Sequence, residues 1–147
     1  MRIDTFLPYR LAVVAKDVTR LLHEVYGQRF GFSREEWRLL FLLEEADTLD
    51  SVQIAQRTSL DKVQVSRAAA RLRARELITS ETHPTDRRLR SYSITRYGRD
   101  RFSEAFIFVE KKANDILKEM DEDDRHALER GLGALHQALA SVNQKQE

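Results

Sequence analysis

Two matching helix-start signals, Asp50-Ser51-Val52-Gln53 and Asp61-Lys62-Val63-Gln64, set tight limits on the middle of this chain. In each, the Asp side chain can accept free N–H groups of a first helical turn while the Gln reaches back to the cap. They predict two short helices, roughly 50–57 and 61–75, joined by Thr58-Ser59-Leu60. Two helices linked by three or four residues have helix-turn-helix geometry. Behind them, Leu77–Thr82 and Leu89–Ile94 alternate and are rich in β-branched residues, and they flank the polar turn His83-Pro84-Thr85-Asp86-Arg87-Arg88. That pattern is a β-hairpin. A helix-turn-helix followed by a basic hairpin makes a winged helix.

Charge says what such a unit is for. Between Arg57 and Arg96 there are ten Lys and Arg against four acids, about +6, while the whole chain carries +1. An ordinary helical hairpin in a bundle is the alternative reading. Five basic residues on the second helix (Lys62, Arg67, Arg71, Arg73 and Arg75) weigh against it. Charge concentrated on a helix and a loop tip suits the phosphates of duplex DNA.

The flanks read as helices. Pro8 can occupy a first helical turn, and Val14, Val18, Leu21, Leu22 and Val25 recur at helical spacing until Gly27 and Gly31 stop the helix. Ser33-Arg34-Glu35-Glu36 is a capping box opening a helix through Trp37, Leu40, Phe41 and Leu43. After Gly98, a stripe of Phe102, Ala105, Phe106, Val109, Ala113, Ile116 and Leu117 is followed, past an acidic break at 121–124, by Leu128, Leu132, Leu135, Leu139 and Val142. Such stripes pack either on the chain's own first helices or on a second copy. A winged helix extended by helices at both ends favours the homodimer.

The sequence resembles the MarR family of bacterial winged helix-turn-helix transcriptional regulators over nearly its whole length. The matching pieces are Leu49–Ala55, Leu60–Arg67, Arg75-Glu76-Leu77-Ile78, Asp86-Arg87-Arg88 and Ile94–Gly98. The resemblance implies a mainly α fold with a small β-hairpin wing: a single domain over 1–147, with a DNA-binding winged helix at about 33–98. Dimerisation helices are expected at about 7–27 and 99–143. It also implies two winged helices reading a palindrome, most commonly as a repressor. In one departure, Glu76 stands where the family usually has Gly at the end of the recognition helix, and a small local adjustment is expected there.

On that helix, Val65, Ala69 and Leu72 should dock on the core and Lys62, Gln64, Ser66, Arg67 and Arg71 should face DNA. Gln64 suits adenine and Arg67 guanine, each bidentately, while Lys62, Ser66 and Arg71 suit phosphates. Thr58 and Ser59 are further phosphate donors, and Arg73 and Arg75 read as solvated surface charge. By analogy with the family's Asp-x-Arg pattern, Arg88 would enter a minor groove, oriented through an ion pair with Asp86, and Arg87 or Arg90 would lie along phosphates. The family often binds small aromatic effectors, and Tyr9, His23, Trp37, Phe102 and Phe106 are the residues expected to line such a pocket, although aromatic stripes at helical spacing usually form core.

No cofactor is called for. There is no cysteine, hence no thiolate metal site or thiol sensor, and no Gly-rich phosphate loop or nucleophile elbow. The four histidines, His23, His83, His126 and His136, lack metal-ligand spacing. Catalysis is therefore not expected. A non-catalytic interaction module binding an acidic partner through its basic helix is the remaining rival. No apolar run approaches membrane-spanning length, and the chain reads as cytoplasmic.

Overall fold

Every α-helix of the described residues but the first begins where a side chain takes up one of its unpaired N–H groups. The computed structural model describes residues 2–144. A short 3-10 turn at Ile3–Thr5 leads into α1 (Leu7–Phe30), with Pro8 in its first turn. Next come α2 (Arg34–Ala46), β1 (Thr48–Asp50), α3 (Ser51–Thr58) and α4 (Lys62–Ala74). β2 (Ile78–Thr82), β3 (Arg90–Ile94), α5 (Arg96–Lys118) and α6 (Glu122–Gln144) complete the order. Capping boxes open α2, α3 and α4 at Ser33, Asp50 and Asp61.

Two expectations need correction. Gly27 does not stop α1, which runs on to Phe30 and ends at Gly31 in the left-handed region (φ 69°). What Gly27 supplies is space, because a Cβ there would lie 2.8 Å from His23 Nε2. The hairpin also gains a third strand. β1 pairs antiparallel with β3, Leu49 opposite Tyr92, and β2 pairs with β3 on its other side, Ser80 opposite Tyr92. Three residues carry too little periodicity to be read as a strand; the edge of β3 and the Thr48–Ser93 hydroxyl contact (2.7 Å) define it.

The described residues fall into two compact units, 2–112 and 113–144. The first holds the core. Leu39, Leu40 and Leu43 of α2, Ile54 of α3, and Val65, Ala68, Ala69 and Leu72 of α4 are fully shielded, together with Leu77 and Ala105, and Tyr92 is buried beside them. An aromatic column joins them: Trp37 stacks on Tyr26 (4.8 Å) and on Phe102 (4.9 Å). Within the second unit, α6 buries no side chain, and Leu128, Leu132, Leu139 and Val142 stand exposed.

The exit from α4 explains three sequence signals at once. Leu77 N–H donates to Leu72 O (3.0 Å) and Glu76 N–H to Arg73 O (2.9 Å), which is a Schellman end with Glu76 left-handed at φ 59°. The expected adjustment at Glu76 is thus absent; the backbone keeps the shape that glycine would adopt and Glu76 bears the strain. Thr95 then ties this turn to α5, its hydroxyl donating to Glu76 O (2.8 Å) and accepting the Gly98 N–H (2.9 Å). Gly98 is required by contact, since a Cβ would stand 2.0 Å from Leu77 O.

Opposite responses are expected at these two positions. Left-handed backbone costs an L-residue about 1–2 kcal/mol, partly offset in glycine by its freer unfolded chain, so Glu76→Gly should stabilise by up to about 1 kcal/mol. Gly98→Ala should destabilise by about 1–3 kcal/mol, because backbone rather than a side-chain tip must move. Urea unfolding of both variants checks the signs.

Candidate nucleic-acid interface

α4 presents two faces. Val65, Ala68, Ala69 and Leu72 are buried, as the spacing predicts, and Lys62, Val63, Gln64, Ser66, Arg67, Ala70, Arg71 and Arg73 are exposed. The helix N-terminus, where the exposed face begins, is fixed by Asp61, whose Oδ1 accepts the Gln64 N–H (2.8 Å). Gln64 closes the box in return: its Oε1 accepts the Asp61 N–H (3.0 Å). The bidentate adenine contact expected of Gln64 does not fit this conformation, because the oxygen it needs is holding the cap. Lys62 and Arg67 make no ion pair among the described residues.

Arg71 and Arg75 turn inward instead. Glu36, only 4% exposed, receives Arg71 Nε on Oε1 (3.2 Å) and the Ser33 N–H on Oε2 (2.6 Å). Arg71 also reaches Ser33 Oγ (3.4 Å). The phosphate contact expected of Arg71 is corrected accordingly: its guanidinium neutralises a buried carboxylate. Arg75, expected to be solvated, donates to Phe30 O (3.0 Å) and Gly31 O (3.1 Å) and lies 4.6 Å over the Phe32 ring. These two arginines fasten the recognition helix to the end of α1 and the start of α2. The Ser33–Glu36 spacing identified the cap, but nothing local showed that the capping carboxylate would be buried against a distant arginine.

The turn before α4 is also more internal than expected. Thr58 is buried, its hydroxyl donating to Ile54 O (2.6 Å) and accepting the Leu60 N–H (3.3 Å), so it has no spare proton for a phosphate. Ser59 stays exposed in a left-handed conformation (φ 59°).

At the wing tip, Asp86 does not pair with the Arg88 guanidinium. Its Oδ1 accepts the Arg88 backbone N–H (2.9 Å) and its carbonyl accepts the Leu89 N–H (3.0 Å). The acid therefore shapes the turn and leaves the exposed Arg87 and Arg88 guanidinium groups outside any ion pair among the described residues. Arg90 reaches across the hairpin to Ser80 Oγ (3.4 Å).

The five residues expected to form one effector pocket are dispersed. Trp37 lines a cavity of about 380 Å³ with Arg38, Phe41, Leu42, Arg57 and Thr58. Phe102 and Phe106 line another of about 440 Å³ beside Phe41, Glu44 and Glu45. His23 faces a third of about 660 Å³, with Glu36, Arg71 and Arg75 in its wall, and Tyr9 lines none of these three. Arg38 and Arg57 were missed because they lie outside the aromatic stripe that suggested the pocket.

A capped helix-turn-helix, a basic recognition helix and a braced wing with free arginines define a winged-helix DNA-binding protein. Residues 30–89, spanning this unit up to the wing tip, match the model of the MarR family. The uncharacterised HTH-type transcriptional regulator YdgJ of Bacillus subtilis is 23% identical over 111 residues, covering 73% of this chain and 68% of that protein. Among solved structures, BpsR of Bordetella bronchiseptica, whose DNA binding is regulated by 6-hydroxynicotinic acid, superposes with a TM-score of 0.79. It is 18% identical, over 92% of this chain and 96% of its own. Apo MarR of E. coli gives a TM-score of 0.78 at 20% identity, over 88% and 96%. The chain thus resembles the MarR family over its winged helix-turn-helix, residues 30–89, and shares the fold of solved members of that family. No helix among its described residues is long and apolar enough to cross a membrane.

The inward role of Arg71 has a measurable consequence. Arg71→Ala should cost roughly 1–3 kcal/mol of stability by stranding the Glu36 carboxylate. Adding Glu36→Gln should cost much less than the two single losses combined, since the charge left unpaired is then gone. A denaturation double-mutant cycle tests it, and additive losses would refute the pairing.

Proposed function

We propose that this protein binds a palindromic DNA operator as a homodimer and represses transcription, releasing DNA when an aromatic acid binds. The observation that carries the reading is the pair of uncompensated basic elements on one winged helix. Lys62 and Arg67 lie on the open face of α4, and Arg87 and Arg88 at a wing tip whose turn Asp86 holds. Arg67 would pair with guanine in a major groove; Lys62, Ser59, Ser66, Arg87 and Arg90 would lie along phosphates; Arg88 would enter a minor groove. The dimer is supported by apolar surface that the chain leaves uncovered: Leu7, Leu11, Val14 and Val18 of α1, and Leu128, Leu132, Leu139 and Val142 of α6. Such stripes are costly in water and suit a second copy. The helices at about 7–30 and 99–143 are accordingly assigned to dimerisation.

The effector class rests on the Trp37 cavity. Its wall combines the rings of Trp37 and Phe41 with Arg38 and Arg57, a setting for a planar ring carrying a carboxylate. Arg38 also donates to Thr58 O (3.5 Å), so an acid drawing on that guanidinium would act on the turn that leads into α4. The similarity to BpsR makes 6-hydroxynicotinic acid a fitting first probe.

Three measurements test the reading. Sedimentation at micromolar concentration should give twice the 17.2 kDa chain mass. On the duplex selected from a random library, Arg67→Ala should cost about 1–3 kcal/mol and relax one position per half-site. Arg88→Ala should weaken binding most where flanks are A·T-rich and the minor groove narrow. No duplex enriched, or binding without a steep salt dependence, would favour the acidic-protein partner instead. For the effector, calorimetric titration with 6-hydroxynicotinic acid should show binding that Arg38→Ala weakens at least about tenfold, the loss expected for one charge-assisted contact.

A further inference from the structure

The open face of the recognition helix is not uniformly polar. Val63, in its first turn, is 56% exposed, between Lys62 and Gln64. Arg67 lies one turn further on, at the i+4 position, and Ala70 two turns on; both are exposed on the same face. An exposed valine is unremarkable on most surfaces, but this one sits among the groups assigned to the major groove and opposite the face that docks on the core. β-Branching leaves it few rotamers, so ordering it against a partner costs little entropy. The one apolar feature on a base edge in the major groove is the C5-methyl group of thymine.

We propose that Val63 is a specificity-determining residue that reads a thymine methyl in each half-site, with the methylene surface of Arg67 and the methyl of Ala70 extending the apolar strip. This rests on the assignment of α4 to a major groove made above. It also sets a distance: side chains at i and i+4 stand about 5–6 Å apart. With bases about 3.4 Å apart along a strand, the thymine should lie one to two steps from the guanine paired with Arg67.

Deoxyuridine replaces thymine with the loss of that methyl group alone, which makes the test specific. In the duplex selected by the wild-type protein, each thymine of the half-site is replaced in turn by deoxyuridine and affinity is measured. At one thymine per half-site the replacement should weaken wild-type binding about fourfold, the worth of one buried methyl, and about fifteenfold when made in both half-sites. Val63→Ala, a better helix former at an exposed position, should remain folded and dimeric and bind the thymine and uracil duplexes equally. Arg67→Ala should lose the guanine preference while keeping the thymine–uracil difference. If no thymine responds, or the response persists undiminished in Val63→Ala, the assignment is overturned while DNA recognition by Arg67 stands. If no duplex is enriched at all, both readings fall together.

Discussion

The orientation of the recognition helix depends on one buried carboxylate. A carboxylate taken out of water costs several kcal/mol unless its oxygens are paired, and Glu36 is almost wholly buried. One of its oxygens is satisfied locally, by the Ser33 N–H of its own capping box. The other takes Arg71, which belongs to α4. The start of α2 and the middle of α4 therefore cannot part without stranding a charge. Arg75, one turn on, completes the attachment by taking carbonyls at the end of α1, the groups a helix terminus leaves unpaired. The ends of two helices, α1 and α2, are thus fastened to one side of α4, whose opposite face keeps Lys62 and Arg67 exposed.

That division corrects the simplest view of the charge excess. The basic segment is not all footprint. Arg57 pairs with Glu45 (3.0 Å), Arg71 with Glu36, and Arg75 with backbone carbonyls. The exposed cations left outside any ion pair among the described residues include Lys62 and Arg67 on the helix and Arg87 and Arg88 on the wing. A count of positive charge finds the right segment and overstates the number of contacts. Salt dependence should accordingly follow the free cations and not the formal charge of the region.

How much of this was legible depended on how local the cause was. The capping boxes at Ser33, Asp50 and Asp61 are written in four residues each, and every one opens a helix where its spacing places it. The buried face of α4 followed from periodicity alone. β1 did not, because three residues acquire strand character only from the edge of β3. Glu76 was readable as a departure but not in its outcome: the left-handed turn is set by Leu72, Leu77 and Thr95 around it, and those contacts hold the backbone whatever residue stands there. Arg71 could not be told from Arg67 in the sequence, since both lie on the polar face of one helix. Only the position of Glu36 separates the anchored arginine from the free one. The aromatic residues did not converge on one pocket for a related reason: Trp37 and Phe102 stack on each other, and each lines a different cavity.

The cap of α4 constrains recognition further. A helix that enters a groove by its N-terminus must keep its first turn intact while the residues of that turn do the reading. Here the same side chain is asked for both, and the cap holds the Gln64 amide oxygen. The first turn can therefore offer the groove a cation at Lys62, an apolar surface at Val63 and the amide donor of Gln64, but no carboxamide acceptor. Adenine presents an acceptor and a donor side by side and needs both to be met for strong discrimination. Guanine presents two acceptors, which the free guanidinium of Arg67 satisfies alone. On the proposed docking, base selection by this helix would be weighted toward guanine through Arg67. Positions the helix could not read in this way would be left to the wing, where groove width rather than base edges would set the energy.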